Sequence, residues 1–132
     1  MGKAIIIAGT PGVGKSEVAK KLSELLKAHY VDLSDLVIKE RLYVEYDEDT
    51  LSYVIDEDKV RDFIRELSSK YERLIISTHY GEVIPQDIVE KVIVLRLDPE
   101  QLEMRLQRRN WPRKKIIENV VAEILAVCTI NL

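Results

Sequence analysis

"GTPGVGKS", residues 9–16, follows the apolar run "AIIIA" (4–8) and leads into a stretch whose apolar residues recur at helical spacing. The eight residues fit G-x-x-x-x-G-K-[ST], the glycine-rich loop whose backbone N–H groups cradle the phosphates of a nucleotide. So short a motif also occurs by chance, and its context decides. "AIIIA" reads as a buried strand. From Lys15 the period changes, and Val18, Leu22, Leu25 and Leu26 are predicted to line one face of a helix reaching about Ala28. Strand, loop and helix in that order are what the motif requires. The N–H groups of Gly12 to Ser16 are then expected to converge on phosphate oxygens at a helix N-terminus. Lys15 is expected to neutralise the β- and γ-phosphates, and Ser16 to offer its hydroxyl to magnesium.

The rest of the chain alternates in the same way. "YVD" (30–32), "RLIIS" (73–77) and "KVIVLRL" (91–97) are apolar runs of strand length. "SDLVIKERL" (34–42) reads as a helix capped by Ser34, and residues 43–57 are acidic and aperiodic. Val60, Phe63, Ile64 and Leu67 form the stripe of a helix beginning at Asp58. Asp98-Pro99 starts another helix, with Asp98 as its cap rather than a metal-binding carboxylate. Pro112 opens the last, where Ile116, Ile117, Val120, Val121, Ile124 and Leu125 repeat at helical spacing. Strands separated by helices imply parallel crossovers with helices on both faces, so the fold class is α/β.

The 132 residues suit a single domain, and 46% hydrophobic with 33% charged residues describes a soluble globular protein. No apolar run is long enough to span a membrane, and "AIIIA" does not make a signal peptide, so a cytoplasmic protein is expected. One cysteine, Cys128, excludes an internal disulfide and reads as a core residue; the two histidines have no metal-ligand spacing. A net charge of −3 argues against broad nucleic-acid binding.

His79 lies just past the end of a predicted strand, where ligands bind in open α/β sheets; it is either incidental or a group that orients water and handles a proton. His29 is expected to be structural, closing the first helix. Trp111 is suited to stack on a base, cover a hinge or simply pack. Arg105, Arg108, Arg109, Arg113, Lys114 and Lys115 form a basic run with no acid between 104 and 115; a solvated helix face would explain it, but a mobile lid over transferring phosphate is the favoured reading.

Together with "STHYGE", "VIVLRLDPEQLEMRLQRRNW" and "KKIIENVVAEILAVC", the loop resembles the adenylate kinase isoenzyme 6 family over nearly the whole chain. That family includes archaeal adenylate kinase-like proteins and eukaryotic small-subunit ribosome assembly factors. The resemblance implies a P-loop NTPase of nucleoside monophosphate kinase type, a three-layer α/β/α domain over 1–132, with ATP and Mg²⁺ as ligands. It implies ATP contacts at Gly12, Gly14, Lys15, Ser16 and Glu17, and a monophosphate-binding region over 31–54 with Asp35 matching the family's Asp. It implies a lid over 105–115 with Arg109 on phosphate, and His79 in a segment resembling Walker B. Lys15, His79 and Arg109 are the catalytic candidates. Three departures stand out. Ser77 occupies a position where many relatives carry Asp. Ile38 occupies one where relatives often carry Arg, leaving Lys39 or Arg41 as candidate counter-charges for the monophosphate. The last strand and helix of the family are expected to be missing after Leu132.

An ATP-dependent nucleoside monophosphate kinase with ATPase activity is the leading expectation, with AMP as the first acceptor. Its rival is an ATP-switched assembly factor for the small ribosomal subunit with slight kinase turnover, toward which Ser77 and Ile38 lean. A nucleotide-binding module without turnover is the third. From Glu45 to Asp58 the chain carries seven acids and no Lys or Arg. That stretch is either solvated surface or a site for a basic protein; the resemblance implies the eleventh small-subunit ribosomal protein, through its basic tail.

Overall fold

The apolar run at the start of the chain forms β1 (Lys3–Ala8), and parallel partners on both sides bury every residue of it from Ala4 onward. The structure, a computed structural model, describes residues 3–10, 12–49 and 52–124. Chain order continues with α1 (Lys15–Leu26), β2 (His29–Asp32), α2 (Leu33–Lys39), β3 (Tyr43–Asp47), β4 (Ser52–Ile55), α3 (Glu57–Lys70) and β5 (Arg73–Thr78). Two 3₁₀ turns then lead to β6 (Val89–Val94), α4 (Pro99–Arg108) and α5 (Arg113–Ile124). Strands β2, β5, β1 and β6 lie side by side in that order, all parallel.

Alternation along β1 divides the core between two faces. Ala4, Ile6 and Ala8 join Leu74, Ile76, Val31, Val37, Val60 and Ile64 beneath α2 and α3. Ile5, Ile7 and Ile75 meet Ala19 of α1 on the other face. A third cluster of Val13, Leu102, Leu106 and Ile116 seats α4 and α5 against the glycine-rich loop. Helices on both faces of a parallel sheet make three layers, the α/β class expected. No described helix is long and apolar enough to cross a membrane.

Several local expectations are corrected. The buried residues of α1 are Ala19 and Ser23, with Leu22 half-buried, whereas Val18, Leu25 and Leu26 are exposed. Small side chains let this helix lie close to the isoleucines of the sheet, so the buried stripe is turned from the leucine-rich one. Lys27 ends α1 in a left-handed conformation (φ 54°), and His29 therefore begins β2, stacked on Tyr71 at 3.9 Å, instead of closing the helix. Helix α2 is capped by Asp32, whose side chain accepts from the Asp35 N–H, not by Ser34. Asp56 caps α3 through the Lys59 N–H, so that helix starts one residue before Asp58, with Val60 and Ile64 buried and Phe63 and Leu67 half-buried as anticipated. The stretch 43–57 is not aperiodic coil: β3 and β4 pair antiparallel, with Tyr53 packed against Tyr43 and Tyr46 at 4.6 and 4.8 Å. Cross-strand aromatic contacts hold this exposed ribbon. Asp98 caps α4 through the Glu100 N–H at 2.9 Å, with Pro99 at the first position, as anticipated. Ile117 and Val121 of α5 are exposed, and Leu125 and Cys128 lie outside the described residues.

Candidate functional site

The carboxyl ends of β1, β2 and β5 open on one cleft of about 490 Å³. Its floor is the glycine-rich loop. Gly14 is the N-cap of α1 with φ 99°, and Gly12 has φ 95°, a region that residues with a Cβ rarely enter. A Cβ on Gly12 would also stand 2.8 Å from Leu102 Cδ1, because α4 packs directly on the loop. Lys15 Nζ donates to the Thr10 carbonyl oxygen at 3.0 Å. The N-terminus of α1 faces the cleft through Gly14, Lys15, Ser16 and Glu17, a placement suited to anions.

Asp32 ends β2 beside this loop. Ser16 Oγ donates to Asp32 Oδ2 at 3.4 Å, while Asp32 Oδ1 accepts from the Asp35 N–H at 3.2 Å. A hydroxyl and a carboxylate are hard oxygen donors, a set that fits a magnesium ion beside phosphate. Next to Asp32, in parallel register on β5, stands Ser77. Ser77 is buried, and its Oγ shares a 3.1 Å hydrogen bond with the Tyr30 hydroxyl.

Beyond β5, His79 has an open side toward solvent at the cleft. Surrounding protein strips much of the ring's hydration, and with the charges of Lys15 and Lys115 this lowers its pKa to about 3. The imidazole is neutral at physiological pH. Burial raises the Asp35 pKa, as does the Asp32 charge, against the opposing pull of Lys20.

The far wall comes from the α4–α5 junction. Arg109 closes α4, Trp111 follows, and Lys115 lies in the first turn of α5; all three line the cleft. Lys115 Nζ sits 4.2 Å from the Trp111 ring centre and the Arg109 guanidinium carbon 5.8 Å from it, so the indole holds two cations at the rim. Arg105 and Arg108 belong to α4, and Arg105 Nη1 donates to the Gly12 carbonyl oxygen at 3.1 Å. The opposite wall is Ser34, Asp35, Val37 and Ile38 of α2 with Tyr53 and Ile55 of β4.

Of the residues singled out in the sequence, Gly12, Gly14, Lys15, Ser16, Glu17, Asp35, His79 and Arg109 all line this cleft. Lys39 and Arg41 do not. Lys39 ends α2 and Arg41 follows it in a left-handed conformation (φ 54°), both exposed and neither among the residues lining the cleft, so these candidate counter-charges do not form its wall. Sequence reasoning missed Asp32 and Tyr53, whereas Lys115 belongs to the basic run it had marked. Asp32 carried a usable signal, since it ends a strand just before a helix, where α/β sheets bind ligands.

A family profile described as "AAA domain" matches residues 5–126. The chain is 46% identical over 123 residues to a Saccharolobus islandicus protein named "Putative adenylate kinase", a match covering 93% of this chain and 64% of that protein. It thus spans just under two thirds of that relative's length. A Methanocaldococcus jannaschii protein of the same name is 43% identical over 124 residues, 94% of this chain and 68% of that protein. The Saccharomyces cerevisiae "Adenylate kinase isoenzyme 6 homolog FAP7" is 37% identical over 127 residues, 96% of this chain and 64% of that protein. In fold, the chain is similar to a shikimate kinase from Bacteroides thetaiotaomicron, with TM-score 0.66, 15% identity, and 98% and 80% of the two chains covered. A gluconokinase from Sinorhizobium meliloti gives TM-score 0.57 at 16% identity, with 92% and 73% covered.

Proposed function

This chain belongs to the P-loop family that holds the archaeal proteins named "Putative adenylate kinase" and the yeast adenylate kinase isoenzyme 6 homologue, and we propose that it transfers the γ-phosphoryl group of Mg-ATP to a nucleoside monophosphate, with ATP hydrolysis as a second outcome. One observation carries the reading: Lys15, Ser16, His79 and Arg109, from three separate segments, line a single cleft. The loop N–H groups and Lys15 bind and orient the phosphate chain. Arg109 offers a planar fork to the charge that spreads over the transferring group. The Ser16 hydroxyl would help hold a magnesium ion, which would supply charge neutralisation to the phosphate chain. The bond from the γ-phosphorus to its bridging oxygen breaks as one to an acceptor oxygen forms. Where water is the acceptor, the neutral His79 imidazole is suited to accept a hydrogen bond from it and orient it, the lowered pKa making the ring too weak a base to take the proton outright. In this reading residues 31–54 form the acceptor region and the basic run 105–115 the lid.

A second reading, an ATP-switched assembly factor with slight kinase turnover, is favoured by the acceptor wall. Its described lining carries Asp35, the hydroxyls of Ser34 and Tyr53 and apolar side chains, and no cation, whereas Lys39 and Arg41 lie outside. An anionic acceptor gains nothing there. A basic segment of a small-subunit ribosomal protein is the partner this reading expects.

An assay of ADP formed from Mg-ATP, with and without each nucleoside monophosphate, separates the two. ADP formation that requires AMP supports the kinase. Formation indifferent to every monophosphate supports the switch, and no ADP under any condition rejects both.

A further inference from the structure

We propose that Asp32 is the carboxylate that holds the metal ion of the bound nucleotide, and that it couples this ion to the acceptor wall. The inference rests on the reading of the cleft as a Mg-ATP site. P-loop enzymes place an acidic side chain at the end of a sheet strand, where it complements the loop Ser or Thr around the metal. In this chain the central strands offer no such group: β1 runs into the loop, and β5 reaches the same level of the sheet with Ser77. Ser77 is buried and engaged with Tyr30, and a hydroxyl is a poor magnesium ligand beside a carboxylate. One strand over, in register with Ser77, stands Asp32.

Three acids line the described cleft, Glu17, Asp32 and Asp35, and Asp32 is the one in contact with Ser16. Its two oxygens face different tasks. Oδ2 points to the Ser16 hydroxyl, and Oδ1 is anchored on the Asp35 N–H at the start of α2. That anchor fixes the carboxylate before any ion arrives, which favours a defined coordination geometry. It also joins the metal to the helix that carries Ser34, Asp35, Val37 and Ile38 toward the acceptor. The carboxylate is therefore positioned to read the nucleotide's metal and to steady the acceptor wall through one side chain.

Asp32→Asn tests this, because Asn caps helices as well as Asp and so retains the α2 anchor. The probe is AMP-PNP, titrated calorimetrically in EDTA and in excess Mn²⁺, with Mn²⁺ occupancy followed separately by electron paramagnetic resonance. In the wild type, Mn²⁺ tightens AMP-PNP binding. In Asp32→Asn that gain falls about tenfold or more. Metal-free affinity stays equal or rises, since a negative charge beside the phosphates is gone. Ser77→Ala keeps the wild-type gain. An Asp32→Asn protein that retains the full Mn²⁺ gain overturns the inference, and so does a parallel weakening in EDTA and Mn²⁺, which marks a purely structural residue. A wild-type protein that binds no AMP-PNP with or without Mn²⁺ rejects instead the nucleotide-site reading beneath it.

Discussion

Arg105 of α4 donates from Nη1 to the carbonyl oxygen of Gly12 at 3.1 Å, across 93 positions of sequence. The same helix places Leu102 and Leu106 against Gly12. Helix α4 therefore acts as a clamp on the phosphate loop. The end of the basic run that begins at Arg105 is tied to the loop, while Arg109 and Lys115 stand at the rim.

Gly12→Ala meets both a positive φ and the fully buried Leu102 side chain. It should cost about 1–3 kcal/mol of stability, the range for a strained backbone position, and should also impair AMP-PNP binding. Chemical denaturation and calorimetry read the two effects. A variant with wild-type values in both would show that the loop and α4 yield without penalty.

Lys15→Ala removes a cation from a loop rather than from the core, so the melting temperature should stay near that of the wild type. AMP-PNP binding should nevertheless fall by orders of magnitude or vanish. Unchanged affinity would mean that the phosphates do not rest on this loop.

His79 should show no imidazole titration between pH 5 and 8 in the free protein when its ring is followed by NMR, since its pKa is lowered to about 3. Bound AMP-PNP adds negative charge and should move the titration upward. The linkage has a definite sign. Below about pH 6.5 the unfolded chain takes up this proton, whereas the folded chain does not until about pH 3. Acidification through that window therefore favours unfolding. His79→Gln should flatten that slope, and an ordinary titration near pH 6.5 in the free protein would refute the assignment of a neutral, crowded imidazole.

Glu123 is a buried carboxylate in α5 whose Oε1 accepts from Arg96 Nε at 3.1 Å and whose Oε2 accepts from the Leu97 N–H at 2.6 Å. It fastens α5 to the segment that follows β6. Glu123→Ala should destabilise the fold by on the order of 2–3 kcal/mol, below the cost at a fully buried pair because Arg96 remains exposed. A denaturation midpoint equal to the wild type would show that solvent replaces both contacts.

The acidic stretch from Glu45 to Asp58 divides in the structure. Asp56 caps α3, Glu57 and Asp58 face Arg61, and Asp49 lies 3.9 Å from Lys114. What stays exposed to a basic partner at the end of β3 is Asp47, Glu48 and Asp49, the last in only a long, exposed contact with Lys114. Replacing Asp47, Glu48 and Asp49 by Asn or Gln should weaken binding of a basic ribosomal-protein tail peptide and flatten its salt dependence. Fluorescence anisotropy at low and high salt measures both; equal affinity at low salt would leave these acids as solvated surface.

What the sequence by itself determined is local. The buried strand 4–8, the loop that follows, the Asp98-Pro99 helix start and the stripe of α3 each follow from spacing within a dozen residues, and the structure keeps them. Period 2 and period 3.6 are properties of the chain itself. Tertiary structure decided which face of α1 was buried, because close approach to the sheet selects small side chains over leucines. It decided that an acidic stretch without apolar period would pair as β3 and β4, since cross-strand tyrosine contacts are invisible until the turn is made. It also decided the site. Lys39 and Arg41 had the right charge but do not line the cleft, whereas Asp32 stood one strand away from Ser77 in register, a neighbour that only the parallel crossover β1–α1–β2 and the return to β5 could supply.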